Sequence, residues 1–116
     1  MKIPLLLALL ASLLSMASNA QTKVDAENGK HLFVKDGCYE CHGYAGQGGA
    51  AGARIADIGL NAQGLIRYVR APVGQMPAYK AKVISDQQLT DIWAFLQTLP
   101  KAKSPKDIPL LNDLEK

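Results

Sequence analysis

The sequence predicts an all-α domain of three to four helices. Apolar residues recur at helical spacing in three segments, and each segment is bounded by residues that favour helix ends. No run of alternating β-branched residues is long enough to predict a sheet. The two cysteines are separated by only two residues, so a disulfide between them would close a very small loop and add little stability. A small domain of this kind usually needs another source of stability, such as a metal or a cofactor.

The N-terminus has the layout of a secretory signal peptide. Lys2 supplies a positive start, residues 3–14 are almost wholly apolar, and residues 18–20 place small side chains at a signal-peptidase site. We expect cleavage after Ala20. A retained membrane anchor is the alternative, although the apolar run is shorter than the roughly 20 residues that a spanning helix needs.

Cleavage would leave one domain over residues 21–100 and a proline-containing tail over residues 101–116. Residues 21–116, which exclude Lys2, carry 12 basic and 10 acidic residues. Such a balance disfavours nucleic acid as a partner, because nucleic acid requires a strongly basic face. No later segment is apolar enough to predict a membrane span.

The first helix is predicted over residues 22–35. Asp25 is a suitable N-cap, and Thr22 with Asp25 three residues later is an alternative start. Gly29 weakens a helix by roughly 1 kcal/mol relative to alanine, and we interpret it as a point where a second helix crosses closely. Asp36-Gly37 ends the helix.

Five glycines between residues 43 and 52 predict a loop. A middle helix follows over about 62–70, with three apolar residues on one face, and Pro72 stops it. Residues 73–83 form a second loop.

The last helix has the clearest pattern. Ser85 and Gln88 form a capping box, and Pro100 ends the helix. Its apolar stripe consists of Leu89, Ile92, Trp93, Leu96 and Leu99. Beyond it, Pro105 and Pro109 disfavour a helix through the middle of the tail, which either packs back on the domain or is mobile.

Residues 38–42, Cys-Tyr-Glu-Cys-His, match the C-x-x-C-H pattern of c-type haem attachment. Two thiols one helical turn apart can each add to one haem vinyl group, and His42 then lies under the ring, within reach of the iron. A thioredoxin-like redox pair would need a βαβ setting, and a zinc site would need a second cysteine pair; the sequence offers neither. We therefore predict one haem c, bound covalently at Cys38 and Cys41.

The iron needs a sixth ligand. Met76 is the one methionine after the predicted cleavage site, and Pro77 fixes the backbone beside it. Met/His ligation is a standard c-type arrangement, so we expect Met76 to bind the iron. His31 is an alternative ligand, and Lys80 and Lys82 are weaker ones because each must first lose a proton.

Over about residues 25–99 the chain resembles the class I cytochromes c. The matching stretches are Asn28 to Lys30 with Phe33, Gly37 to Gly43, Met76 to Tyr79, and Leu89 to Leu96. The resemblance implies a cytochrome c fold, in which the first and last helices cross and one covalently bound haem lies in a crevice between His42 and Met76.

One departure from the family concerns the loop after the haem motif. The family usually has a proline where Ala53 stands, and the carbonyl of that residue accepts the second ring N–H of the ligand histidine. We expect the hydrogen bond to form, because the carbonyl remains, but in a looser loop. Ile55 would then pack on the haem face.

Three further residues are candidates to bind a haem propionate: Arg54, Arg70 and Trp93. Such a contact would offset the cost of a buried charge. The alternatives are a solvated surface charge for each arginine and a place in the helix-crossing core for Trp93.

These features predict electron transfer without catalysis, in the periplasm, by a carrier or by the cytochrome subunit of a dehydrogenase. Thioether ligation and a dry pocket favour ferrous iron and so raise the reduction potential. The expected partners are redox proteins, such as a periplasmic dehydrogenase and a terminal oxidase or other cytochrome. Lys80 and Lys82 either steer an acidic partner or are ordinary solvated lysines. The apolar residues 108–111 either dock on a dehydrogenase or cover the back of their own domain.

The alternative function is that of a haem enzyme or gas sensor with an open sixth iron position. No distal histidine is placed for acid–base work, and Met76 would fill that position. A purely structural haem module is a third, less favoured interpretation.

Overall fold

The computed structural model describes residues 23–113, which contain helices joined by loops and no strand. The all-α prediction is therefore confirmed, and the predicted signal peptide lies outside the described residues. The helices are α1 (Ala26–Lys35), α2 (Cys38–His42), α3 (Ala62–Arg70), α4 (Asp86–Thr98) and α5 (Pro109–Asn112), with a 3-10 turn at Pro105–Asp107. No helix within residues 23–113 has the length and apolar character that a membrane crossing requires.

Helix α1 begins at Ala26, because Asp25 adopts an extended conformation and caps it. The Asp25 side chain accepts hydrogen bonds from the backbone N–H groups of Glu27 and Asn28, each at 3.0 Å. These bonds satisfy two of the amides that a helix N-terminus leaves without partners. The predicted Asp25 cap is thus confirmed, and the earlier start at Thr22 is wrong for residues 23–25, which are not helical.

Helices α1 and α4 cross in close contact and form the centre of the domain. Gly29 is buried at the crossing, and a Cβ atom there would overlap the backbone carbonyl of Asp91. The rings of Phe33 and Phe95 pack beside it with centroids 5.4 Å apart. The predicted close approach at Gly29 is therefore confirmed, and it depends on the absence of a side chain.

Asp91 is a buried carboxylate that joins the same two helices. It is 4% exposed and accepts hydrogen bonds from the Asp25 backbone N–H at 3.0 Å, the Asn28 amide at 2.8 Å and the Gln87 amide at 3.0 Å. A buried charge is tolerated when its oxygens are fully hydrogen-bonded. Asp91 therefore fixes the N-terminus of α1 against α4.

We expect Asp91→Asn to lower the free energy of unfolding by about 2 kcal/mol. The asparagine NH₂ group would face at least one of the three groups that now donate to the carboxylate, whichever way the amide is turned. Urea denaturation of the holoprotein measures the loss, with Asp107→Asn in the exposed tail as the matched control. Equal stability of the two variants would show that the buried network contributes nothing.

Helices α3 and α4 match their predictions. Asn61 caps α3 by accepting from the Gly64 N–H at 2.8 Å. Ser85 and Gln88 form both hydrogen bonds of the capping box that begins α4. The apolar faces of α3 and α4 are buried together with those of α1: Leu32, Phe33, Leu65, Ile66, Val69, Leu89, Ile92, Phe95 and Leu96.

The tail contains two short helical turns, each beginning at a proline. Proline is tolerated at the first helical position, where no intrahelical N–H bond is lost. The 3-10 turn and α5 contact one another and none of the other helices of residues 23–113. Leu110 is 77% exposed, so the apolar residues of the tail do not cover the helical core.

Candidate functional site

The C-x-x-C-H residues form the short helix α2 between two glycines. Gly37 precedes it with φ 78° and Gly43 follows it with φ 74°, a region that glycine enters without steric cost. The helix places Cys38 and Cys41 about one turn apart, and both are free thiols. Burial, with a smaller contribution from Asp36, raises the pKa of the Cys38 thiol to about 11. Cys41 is exposed.

The ring of His42 is oriented by the loop that follows. Its Nδ1 lies 2.7 Å from the carbonyl oxygen of Ala53, so the hydrogen bond expected at this position is present. A histidine that donates through Nδ1 leaves Nε2 free to bind a metal, and the carbonyl raises the basicity of the ring.

The loop lies directly on α2 because its glycines leave room. Gly48, with φ 80°, donates its N–H to the His42 carbonyl at 2.8 Å. A Cβ atom on Gly52 would lie 2.8 Å from the carbonyl oxygen of Cys41. The glycine-rich segment therefore brings the Ala53 carbonyl to the histidine ring.

A cleft of about 650 Å³ opens between α2, this loop and the core. Apolar side chains from α1, α3 and α4 form one part of its wall, and α2 and the loops after α2 and α3 form the rest. Its volume lies in the range of about 300–1,000 Å³ typical of small-molecule and cofactor sites. Six of the predicted site residues line this cleft: Cys38, Cys41, His42, Ala53, Ile55 and Met76.

Met76 enters the cleft from a loop that is held at several points. The Tyr79 N–H donates to the Val69 carbonyl at 3.1 Å, and the Tyr79 hydroxyl donates to the Asp36 carbonyl at 3.2 Å. Burial, with smaller contributions from the neighbouring Cys38 and Asp36, raises the pKa of this hydroxyl. The loop is thus fastened to α3 and to the end of α1.

Arg70 binds the segment after Met76 at two points, Tyr79 and Ile84. Its guanidinium donates to the carbonyls of Tyr79 and Ile84, each at 2.8 Å, and forms an ion pair with Asp86 at 2.6 Å. The residue pattern does not indicate this role of Arg70, because its partners are backbone carbonyls, which every residue carries.

The three propionate candidates have other partners. Besides the contacts of Arg70, Arg54 donates to the Pro100 carbonyl at 2.6 Å, and the Trp93 indole N–H donates to the Leu60 carbonyl at 2.8 Å. None of the three lines the cleft. Their contact with a propionate remains a prediction.

The alternative iron ligands lie elsewhere. His31, Lys80 and Lys82 are exposed, and none of them lines the cleft. Within residues 23–113, no three His, Cys, Asp or Glu side chains are grouped so that they could hold a metal ion by themselves.

Beside α2, the rings of Tyr39 and Tyr44 stack with centroids 4.4 Å apart. The neighbouring Tyr44 raises the pKa of Tyr39. Tyr44 is 66% exposed, so the pair lies at the protein surface.

The donor set fits a c-type haem. Two thiols at the cleft wall can each add to a vinyl group, the His42 ring has a nitrogen not used by Ala53, and Met76 offers a thioether in the same cleft. The apolar lining suits a flat macrocycle.

Comparison with known proteins agrees with this chemistry. Residues 24–96 match the family model described as cytochrome c oxidase, cbb3-type, subunit III. The chain belongs to this family. It is a c-type cytochrome with an all-α cytochrome c fold, a haem-binding protein of electron transport, and the resemblance seen in the sequence is confirmed.

A curated relative of the cytochrome is the menaquinol:cytochrome c reductase cytochrome c subunit of Bacillus subtilis (strain 168). It is 35% identical over 81 residues, which cover 70% of this chain and 31% of the relative. The cytochrome thus spans about a third of the length of that protein. No solved structure matches it significantly.

Proposed function

We propose that the chain is a periplasmic electron carrier with one haem c, attached through thioethers at Cys38 and Cys41 and ligated by His42 and Met76. The observation that carries the proposal is the convergence of both thiols, the imidazole and the thioether on one apolar cleft. Bound there, the haem supplies one-electron chemistry between ferric and ferrous iron. The carrier performs no catalysis of its own.

The residues of the cleft hold and shield the haem. The Ala53 carbonyl keeps the His42 ring in one orientation, and Arg70 and Tyr79 hold the loop of Met76. Ile55, with the core residues of the cleft wall, excludes water. Low polarity and a thioether ligand both favour the less charged ferrous centre, which raises the reduction potential.

The partners are proposed to be redox proteins. The relative named above is a subunit of a menaquinol:cytochrome c reductase, which supports a place in a chain of electron carriers. A periplasmic dehydrogenase would supply electrons, and a terminal oxidase or another cytochrome would accept them.

Optical spectroscopy tests the ligand assignment. We expect the ferric protein to show a thioether-to-iron charge-transfer band and the ferrous protein to bind no carbon monoxide. Met76→Ala should lose the band and bind carbon monoxide stoichiometrically, because it opens the sixth position. Lys82→Ala, an exposed residue outside the cleft, is the control and should behave like the wild type. Rapid carbon monoxide binding and no band in the wild type would favour the haem enzyme or gas sensor instead.

Intact mass spectrometry tests attachment and export. Protein from the periplasmic fraction should have the mass of residues 21–116 plus one haem that acidic organic solvent does not extract. An extractable haem would refute the thioether bonds, and an uncleaved N-terminus would refute cleavage after Ala20.

A further inference from the structure

The His42–Ala53 hydrogen bond depends on how firmly the loop of residues 43–59 is held. The Ala53 amide donates to no acceptor among the described residues, and alanine lacks the ring that restricts the φ angle of proline. Two bonds from Ile55 and Ala56 to the Gly46 carbonyl, at 2.8 and 2.9 Å, fold the loop on itself. Such internal bonds do not attach the loop to the body of the domain, and the Gly48 bond to the His42 carbonyl attaches only its first half to α2.

Two charged side chains attach this loop to the segment after α4. Arg54 donates from Nη2 to the Pro100 carbonyl at 2.6 Å, and Asp57 forms an ion pair with Lys101 at 3.5 Å. Arg54 directly follows Ala53 in the chain, so its anchor acts one residue from the carbonyl that His42 uses.

The Arg54 contact is the stronger of the two. Arg54 is exposed as well, but its contact is a short hydrogen bond from a charged donor, and such bonds are roughly twice as strong as neutral ones. It also places a positive charge just beyond the C-terminus of α4, where the helix dipole is negative. The Lys101–Asp57 pair is longer, and the Lys101 side chain is 80% exposed, so water and salt screen it.

We infer that Arg54 is a positioning residue: its bond to the Pro100 carbonyl holds the Ala53 carbonyl against His42 and thereby tunes the haem iron. The inference rests on the proposed ligation of the iron by His42. The Ala53 bond makes the imidazole a more basic ligand, which stabilises ferric iron. Loss of the Arg54 anchor should therefore favour ferrous iron.

The direction in which the midpoint potential changes distinguishes a positioning role of Arg54 from an effect of its charge alone. In Arg54→Ala we expect the ferrous-to-ferric equilibrium to shift about threefold towards ferrous, a rise of about 28 mV in midpoint potential at 59 mV per tenfold for one electron. Removal of a positive charge near the iron would by itself favour ferric iron and lower the potential. Arg67→Ala, which removes an exposed charge from α3, is the matched control and should not raise the potential.

Exchange of the His42 ring proton provides a second readout. In the reduced holoprotein, nuclear magnetic resonance should show that the Nδ1 proton exchanges with solvent about tenfold faster in Arg54→Ala than in the wild type. A change in surface charge alone would leave this proton bonded to the Ala53 carbonyl.

A proline at residue 53 should make Arg54 dispensable. Ala53→Pro breaks no hydrogen bond of the described residues and restricts the loop directly. On its own it should slow exchange of the His42 proton, and in the double variant with Arg54→Ala the rise in potential should disappear. This single variant keeps the test decisive if Arg54→Ala does not fold.

Three results would overturn the inference. The first is a midpoint potential that is unchanged or lowered in Arg54→Ala. The second is a rise in potential on Arg54→Ala that is as large when residue 53 is proline as when it is alanine, and the third is an unchanged exchange rate of the His42 proton in Ala53→Pro. Failure of the proposed function is a different result, because the wild type would then lack the charge-transfer band before any substitution at Arg54.

Discussion

Gly29→Ala is expected to prevent stable packing of α1 on α4 and to abolish most recovery of haem-containing protein. The added Cβ would overlap the Asp91 carbonyl and lie 2.8 Å from the Ile92 nitrogen, both of which belong to the backbone of α4. A helix backbone cannot rotate away as a side chain can, so the two helices must separate.

The size of this effect follows from two opposing contributions. Alanine stabilises an isolated helix by roughly 1 kcal/mol relative to glycine. Separation of the helices, however, loosens the Phe33–Phe95 contact and the hydrogen bonds of Asp91, and effects above about 4 kcal/mol arise from such disruption of a core. The loss exceeds the gain, and a small domain has a total stability of only about 5–15 kcal/mol.

Thermal and denaturant unfolding of the purified holoprotein, together with the yield of haem-containing protein, measure the effect. Gly59→Ala is the matched control, because a Cβ at Gly59 has no atom within 4 Å and its backbone does not require glycine. Equal stability of the two variants would show that the helices tolerate a wider separation than the structure indicates.

Arg70→Ala is expected to weaken the proposed bond between Met76 and the iron by about 2 kcal/mol, or roughly 30-fold in the equilibrium for methionine release. The substitution removes both hydrogen bonds that fix the carbonyls of Tyr79 and Ile84, as well as the ion pair with Asp86. The Arg70 side chain is only 22% exposed, so water replaces these contacts poorly.

Cyanide affinity of the ferric protein measures this change, since cyanide binds only when the methionine has left. Cyanide should bind roughly 30-fold more tightly to Arg70→Ala, and the charge-transfer band should weaken. Asp86→Asn keeps the two carbonyl contacts and should have a much smaller effect, and Arg67→Ala on the same helix should have none. An equal cyanide Kd in the Arg70 and Arg67 variants would refute the role of Arg70.

Local sequence signals predicted most of the helices correctly. The caps at Asp25, Ser85 and Gln88 each form the expected hydrogen bonds, because capping depends on residues only two or three positions apart. Residues 38–42 form a short helix that places the two thiols about one turn apart, and covalent attachment of haem to them remains a prediction. The hydrogen bond from His42 to the Ala53 carbonyl was implied by the family resemblance, and it forms because the backbone carbonyl remains when alanine replaces proline.

The partners of long polar side chains could not be predicted in this way. Arg54, Arg70 and Trp93 each donate to a carbonyl of a distant loop or helix end, and the position of that carbonyl is set by tertiary packing. Asp91 was missed for a related reason, although it offered a signal. It is an acidic residue directly before Ile92 in the apolar stripe of α4, and a charge so close to a buried face requires donors from elsewhere.

The contacts of Pro100 and Lys101 determine how much of this protein must be transferred to another chain for the haem site to remain intact. The family match ends at residue 96, yet the loop that orients His42 is attached to residues 100 and 101. A graft or chimaera joined at residue 96 would keep every buried residue of the core helices and still lose the anchor of Arg54. A junction after Lys101 would retain it, so the transplantable module extends five residues beyond the recognisable family sequence.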